Sequence, residues 1–142
     1  MLHRFEEFVT GITECHRYIQ RIKAMEMTEL GLKGTHVMCL FYMGRSPEGL
    51  TAGQLCTLCG EDKAAVSRTL GELEQLGHCT RTGDKKYRAP LVLTDSGRQA
   101  VEQIDRLVEQ WVMAGGDGLT EAERSVFYTC LGKIAANLRK GV

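Results

Sequence analysis

The fold is decided by residues 51–77, which read TAGQLCTLCGEDKAAVSRTLGELEQLG. Thr51 and Gln54 have the spacing of a capping box, in which each side chain bonds to the other residue's backbone amide at the start of a helix. This short helix ends at Gly60, and Asp62 then supplies an N-cap for a second helix. Two short helices joined by a turn that contains glycine are typical of a helix-turn-helix.

The second of these helices is predicted from Lys63 to Leu76, with Gly77 as the left-handed residue that ends it. Residues 79–82 are then expected to be extended, residues 83–86 form a polar tip, and Tyr87 to Leu93 return as a strand. This hairpin predicts the wing of a winged helix. Apolar residues at helical spacing mark the inward face of the second helix, namely Val66, Leu70, Leu73 and Leu76.

Further helices are predicted on both sides of this unit, so the fold class is mainly α with a small β-hairpin. A long helix over Leu2 to Met27 comes first, followed by a short one over Thr35 to Met43. Thr94 caps a helix over Asp95 to Met113, and Thr120 opens the last helix through a second capping box. Each end helix has one apolar face: Phe5, Phe8, Val9, Ile12, Ile19, Ile22 and Met25 in the first, Val101, Ile104, Leu107, Val108 and Trp111 in the fifth, and Val126, Phe127, Cys130, Leu131, Ile134 and Leu138, expected inward, in the last.

Composition excludes several classes of protein. The chain is 43% hydrophobic and 25% charged, which is too apolar for a disordered chain and typical of a globular domain. Its longest apolar run, Val37 to Met43, is too short to span a membrane, which needs about 20 residues. The first residues turn acidic at Glu6 and do not form a secretion signal, so we expect a cytoplasmic protein with no membrane partner.

Charge is distributed unevenly along the chain although the formal net charge is zero. Four cationic residues lie between positions 81 and 88 against the single acid Asp84, whereas acids outnumber bases in the helix that follows. A basic strip of this kind indicates one surface that faces an anion, and local field matters more for binding than the sum of charges.

The stretch from Asp62 to Gly97 resembles the signature of MarR-type regulators. The resemblance lies in DKAAVSRTL at 62–70, LEQLG at 73–77, Arg81 with a basic turn after it, and LTDSG at 93–97. It covers nearly the whole chain as one domain, and it implies a homodimer. Residues 1–30 and 95–142 would be the dimerisation helices, and residues 35–94 the winged helix-turn-helix. The apolar faces of the end helices favour a dimer independently, because a small monomer would struggle to cover them.

The second helix of a helix-turn-helix enters the major groove, so its outward side chains and those of the wing are the predicted contacts to duplex DNA. Arg68 can form a forked pair with guanine or clamp a phosphate, unless it pairs instead with Glu72 one turn away. The family's usual Asp-x-Arg in the wing is replaced here by Asp84 and Arg88, four residues apart, which puts that brace in doubt. The predicted function is a sequence-specific repressor on a near-palindromic operator. Its predicted DNA-binding residues are Lys63, Ala64, Ser67, Arg68, Thr69, Arg81, Lys85, Lys86 and Arg88.

The resemblance also implies a small phenolic or anionic effector held between the dimer helices and the DNA-binding unit. His16, Tyr18, Met38 and Trp111 are candidate ligand residues, although each is also explained as part of the core. No nucleophile elbow, phosphate loop or catalytic carboxylate pair occurs, so neither an enzyme nor a cofactor is predicted.

Six cysteines are present, and most occupy apolar-periodic positions, which favours reduced, packed thiols. Cys56 and Cys59 form a CxxC without the second pair that a tetrahedral zinc site needs, so no metal is predicted. Cys15 at the edge of the first helix's apolar face is the candidate for oxidation. Two alternatives stay open: a winged-helix interaction module that has lost DNA binding, and a DNA-binding sensor of redox state or metal.

Overall fold

The computed structural model describes residues 1–83 and 88–142 of the chain. Its elements follow the predicted order: α1 (Leu2–Glu29), α2 (His36–Gly44), α3 (Ala52–Cys59), α4 (Lys63–Gln75), β1 (Cys79–Arg81), β2 (Leu91–Leu93), α5 (Asp95–Gly115) and α6 (Glu121–Lys140). They fall into two compact units, Met1–Leu107 and Val108–Val142, each described by itself below. In the described ranges, no helix is both long enough and apolar enough to cross a membrane.

Local capping sets the helix-turn-helix as predicted. The Thr51 hydroxyl accepts from the Gln54 amide at 3.2 Å, and the Gln54 side chain accepts from the Thr51 amide at 2.9 Å. Gly60 ends α3 with φ of 65°, in the left-handed region that glycine enters without a Cβ clash. The Asp62 carboxylate then accepts from the Ala65 amide at 2.7 Å and starts α4.

The wing is an antiparallel pair in which Cys79 lies opposite Leu93 and Arg81 opposite Leu91. Leu91 also exchanges two backbone hydrogen bonds with Leu50, at 2.8 and 3.0 Å, so the segment before α3 joins the sheet. The described part of the second strand begins at Leu91. The sequence predicted a start at Tyr87, which lies outside the described residues. Residues 88–90 are not strand, because Arg88 has φ of 63° and Pro90 has no amide to donate.

The core of the first unit forms where the inward faces of α2, α3 and α4 meet β2 and the first part of α5. Val66, Leu70 and Leu73 are buried, as the α4 periodicity predicts. Leu76 is 47% exposed, so its predicted inward position is wrong. The physical reason is that α4 ends at Gln75, and helical spacing no longer applies where the chain turns toward Gly77. The remaining fully buried side chains include Met27, Val37, Leu40, Leu55, Leu91 and Ile104.

The apolar faces of α1 and α6 are exposed in the single chain, whereas the face of α5 is buried at Val101 and Ile104. In α1 only Met27 is buried, and Phe5 and Ile19 are 67% and 48% exposed. In the second unit α6 begins with the predicted capping box, in which Thr120 accepts from the Glu123 amide at 3.3 Å, yet no α6 residue is buried. The prediction that the α6 face points inward is therefore wrong for one chain, since helical spacing identifies an apolar face but not what covers it. Its predicted members are exposed or, for Leu131, half-buried.

Candidate nucleic-acid interface

One side of α4 is exposed while the other packs on the core. Lys63, Ala64, Ser67 and Arg68 are exposed, and they recur at spacings that place them on one helical face. Thr69 is only 7% exposed, so its predicted place on the outward face is wrong. Thr69 follows the buried Val66 by three residues and precedes the buried Leu73 by four, so its small side chain lies on the packed face of α4.

Arg68 does not make the internal ion pair that the sequence left open. The Glu72 carboxylate instead accepts from Lys33 Nζ at 2.8 Å and from His36 Nε2 at 2.7 Å. These two hydrogen bonds hold the pKa of Glu72 below its usual range, with Lys33 the larger cause. With respect to residues 1–83 and 88–142, Arg68 has no hydrogen bond or ion pair, so its guanidinium is available to a ligand.

The contact between His36 and Glu72 ties the start of α2 to α4. His36 is 1% exposed, and its Nδ1 accepts from the Lys33 amide at 3.0 Å. The Nε2 atom therefore carries the proton and donates to Glu72, which fixes one tautomer of the ring. The sequence gave no local signal for this pair, because its members are 36 positions apart.

A shallow depression of about 230 Å³ lies beside Arg68. Its walls carry the cations Lys33 and Arg68 and the acids Glu61 and Glu72, together with Thr35, Ala65 and Thr69. Mixed charges of this kind do not define an anion pocket, and the depression is a continuation of the α4 surface.

The wing residues differ in their surroundings. Arg81 donates to Glu74 at 3.0 Å, and both side chains are about one third exposed, at 33% and 32%. This ion pair connects β1 to α4. It also partly neutralises the Arg81 guanidinium, so we expect Arg81 to contribute less to DNA binding than the sequence predicted. Arg88 is exposed. Lys85 and Lys86 lie outside the described residues, as does the Asp84 that would brace Arg88.

The predicted ligand and redox residues are placed as follows. His16, Tyr18 and Cys15 are exposed on α1, and Met38 is half-buried on α2. Trp111 is half-buried in the second unit. None of these residues lines the depression beside Arg68.

The structure brings two cysteines together that the sequence left apart. The Sγ atoms of Cys39 and Cys59 are 3.9 Å from each other, although the residues are 20 positions apart. Cys79 is also buried, Cys56 is half-buried, and Cys130 is exposed. Within the ranges 1–83 and 88–142, no group of three or more His, Cys, Asp or Glu side chains is arranged to hold a metal ion. The CxxC spacing drew attention to Cys59, but its neighbour comes from another helix.

Comparison with known proteins agrees with this geometry. The sequence model described as MarR family matches residues 30–86, which include the helix-turn-helix. The chain is similar to a MarR family transcriptional regulator from Listeria monocytogenes, solved in complex with a 26mer DNA, with 25% identity and a TM-score of 0.82 over 94% of this chain and 89% of that one. It is also similar in fold to a MarR protein from Peptoclostridium difficile, with 20% identity and a TM-score of 0.85 over 94% and 88%.

A third similar fold is that of S. aureus MepR, solved as a DNA complex, with 18% identity and a TM-score of 0.82 over 91% of this chain and 96% of that one. The matched sequence segment, the winged helix-turn-helix and the near full-length agreement in fold are consistent with one another. Residues 30–86 match the MarR family model, and the chain as a whole is similar in fold to MarR family transcriptional regulators.

Proposed function

We propose that the protein is a cytoplasmic, homodimeric repressor that reads a near-palindromic operator in duplex DNA. The observation that carries this proposal is the exposed face of α4, on which Arg68 has no partner among the described residues while Glu72 is fully engaged. A guanidinium in this position is suited to a guanine edge or a phosphate. The similar proteins from Listeria monocytogenes and S. aureus were solved with DNA, which supports this use of the fold. Proteins of this family are regulators rather than enzymes.

Helix and wing have different roles in this proposal. Lys63, Ala64, Ser67 and Arg68 approach base edges and phosphates in the major groove, because the N-terminal half of the recognition helix faces the bases. The wing residues Lys85, Lys86 and Arg88 bind phosphates, which adds affinity that weakens with salt. We assign Arg81 a smaller share, since Glu74 already neutralises it.

The experiment compares Arg68→Ala with the native protein on an operator selected from random duplexes and on unselected DNA. If Arg68 reads a guanine, the variant loses about 1–3 kcal/mol on the operator, roughly 5- to 150-fold, and much less on unselected DNA. Arg106→Ala removes the same charge from an exposed position of α5 and serves as the matched control.

Lys85→Ala is expected to weaken binding to both DNAs about equally and to flatten the salt dependence by about one unit. Equal losses for Arg68→Ala on both DNAs would reassign Arg68 to the DNA backbone. Unchanged binding by Arg68→Ala on both would overturn the assignment of α4 as the reading helix.

The exposed apolar faces of α1 and α6 support the homodimer. Contiguous apolar patches of this length are rare on monomers, and two-fold pairing is the common way to cover them. The exposed fractions are 67% for Phe5, 40% for Ile12, 62% for Val126 and 59% for Leu138. We therefore infer that residues 1–30 and 95–142 supply the dimer interface.

Light scattering on the eluting protein tests the dimer at micromolar concentration. The native chain is expected at twice its mass, and Ile12→Glu is expected to raise the monomer fraction by placing a charge in the apolar face. Thr10→Glu places the same charge on the opposite side of α1 and is expected to leave the dimer intact. A native chain that elutes as a monomer refutes the proposal.

We also propose that a small ligand releases the DNA, with His16, Tyr18, Met38 and Trp111 as its candidate contacts. Two recognition helices must match successive major grooves at once, so a ligand that prefers another spacing shifts the population away from DNA. Salicylate, a phenolic anion, is a suitable probe. At millimolar concentration it should raise the melting temperature of the free protein and weaken operator binding, and the absence of both effects would exclude ligands of this class.

A further inference from the structure

Two thiols meet at the joint between α2 and α3, in the part of the fold that supports the recognition helix. Cys39 lies in the middle of α2 and is 3% exposed, whereas Cys59 is the last residue of α3 and is half-buried. Their Sγ atoms are 3.9 Å apart, within the range of a thiol hydrogen bond. Three residues separate Cys59 from Lys63, where α4 begins.

The surroundings make the two sulfurs unequal. The pKa of the Cys59 thiol is lowered, chiefly because Cys39 donates a hydrogen bond to the Cys59 thiolate, with an additional attraction from Lys23. Burial and the Glu61 carboxylate act in the opposite direction. The same hydrogen bond, followed by burial, raises the pKa of Cys39. The more exposed sulfur is therefore the better nucleophile, and the buried one keeps its proton.

We propose that Cys39 and Cys59 form a reversible oxidation site, which a hydroperoxide converts to a disulfide that displaces the recognition helix. The displacement rests on the proposed function, whereas the thiol chemistry does not. The site also differs from the redox candidate that the sequence indicated, since Cys15 has no sulfur beside it among the described residues.

The reaction takes two balanced steps. The Cys59 thiolate attacks one peroxide oxygen, the O–O bond breaks, and the alcohol or water leaves after it takes a proton, so Cys59 becomes a sulfenic acid. The Cys39 sulfur then attacks the Cys59 sulfur, an S–S bond forms, and the hydroxyl leaves as water with the proton of Cys39. The two thiols lose two electrons together, and the peroxide gains them.

The disulfide changes the position of the helix-turn-helix. An S–S bond is about 2.05 Å long, so the sulfurs must approach by nearly 2 Å from their present 3.9 Å. Rotation of the two side chains about χ1 supplies part of this approach. Because Cys39 is held in the core, the remaining movement falls on the C-terminal end of α3 and its turn at Gly60. A binding constellation tolerates displacements of only about 0.5 Å, so oxidation is expected to lower operator affinity at least tenfold.

The experiment treats the full-length protein with cumene hydroperoxide and maps its disulfides by mass spectrometry without reduction. The native protein, Cys15→Ser and Cys56→Ser are expected to yield the peptide that links Cys39 to Cys59, and dithiothreitol is expected to reverse the link. Cys39→Ala keeps the core apolar and is expected to stop at a sulfenic acid on Cys59, which dimedone traps. Cys59→Ser is expected to yield neither product.

Failure to find the Cys39–Cys59 peptide in the native protein, or its replacement by a Cys56–Cys59 link, overturns the oxidation site. Operator binding is measured on the same samples before and after oxidation. If reduced protein does not bind the operator, the proposed function fails while the disulfide result stands by itself. If reduced and oxidised protein bind equally well, the displacement of the recognition helix is refuted.

Discussion

Gly97, the third residue of α5, provides a strict test of how the wing and α5 fit together. A Cβ atom on Gly97 would lie 2.9 Å from the carbonyl carbon of His78 and still closer to its oxygen, which no real side chain tolerates. The same contact includes Thr94, whose amide donates to His78 O at 3.1 Å and whose hydroxyl accepts from the Gly97 amide at 3.1 Å. The Thr94 hydroxyl also donates to Gly77 O at 2.5 Å.

The cost of Gly97→Ala follows from these contacts. The backbone of α5 must withdraw from β1, and overpacking of this kind costs about 1–3 kcal/mol. Two strained hydrogen bonds of Thr94 add about 1–3 kcal/mol, because each contributes about 0.5–1.5 kcal/mol. Alanine offsets up to about 1 kcal/mol through its higher helix propensity. The expected net loss in the free energy of unfolding is about 3 kcal/mol, or roughly 10 °C in melting temperature for a chain of this size.

Urea unfolding followed by circular dichroism measures this loss, at one fixed protein concentration because dimer stability depends on concentration. Gly71→Ala is the matched control, since Gly71 lies inside α4 with no atom near its would-be Cβ. That control is expected to be neutral or to stabilise the protein by up to about 1 kcal/mol. If Gly97→Ala unfolds within about 0.5 kcal/mol of the native protein, the close approach of α5 to His78 is wrong.

Three further results are expected. Asp62→Ala should lower the free energy of unfolding by about 1 kcal/mol because α4 loses its N-cap, whereas Asp62→Asn should retain most of the stability, since asparagine also caps helices. Equal losses for the two variants in urea unfolding would refute the role of Asp62 as the cap. The pKa of Glu72 is lowered in the folded state, so ionised Glu72 stabilises the fold fully above the ordinary carboxyl pKa, and this stabilisation is lost as pH falls through the lowered pKa. Glu72→Gln should therefore make the free energy of unfolding depend less on pH in the acid range. An unchanged pH dependence would contradict the contacts of Glu72 with Lys33 and His36. Burial, with a smaller effect from Glu74, raises the pKa of Cys79 to about 11. Iodoacetamide at pH 8 should therefore label Cys79 roughly 100-fold more slowly in the folded chain than in urea, and comparable rates would argue against a buried Cys79.

The sequence by itself determined the local elements of this protein. Both capping boxes, at Thr51 and Thr120, the Asp62 cap and the Gly60 turn act between residues at most four positions apart, so their chemistry is visible in the residue order. The helix-turn-helix, the hairpin and the resemblance to MarR regulators follow from these elements. Helical periodicity also identified the buried stripe of α4, except at its end, where Leu76 no longer belongs to the helix.

Only the tertiary structure decided which side chains meet across helices. Glu72 was a possible partner of Arg68 within one helix, but packing of α2 against α4 brings His36 and Lys33 to that carboxylate and leaves Arg68 exposed. Cys59 likewise meets Cys39 rather than the Cys56 of its own motif. Long-range contacts depend on the relative placement of whole helices, which is a collective result of core packing, and no single stretch of residues encodes it.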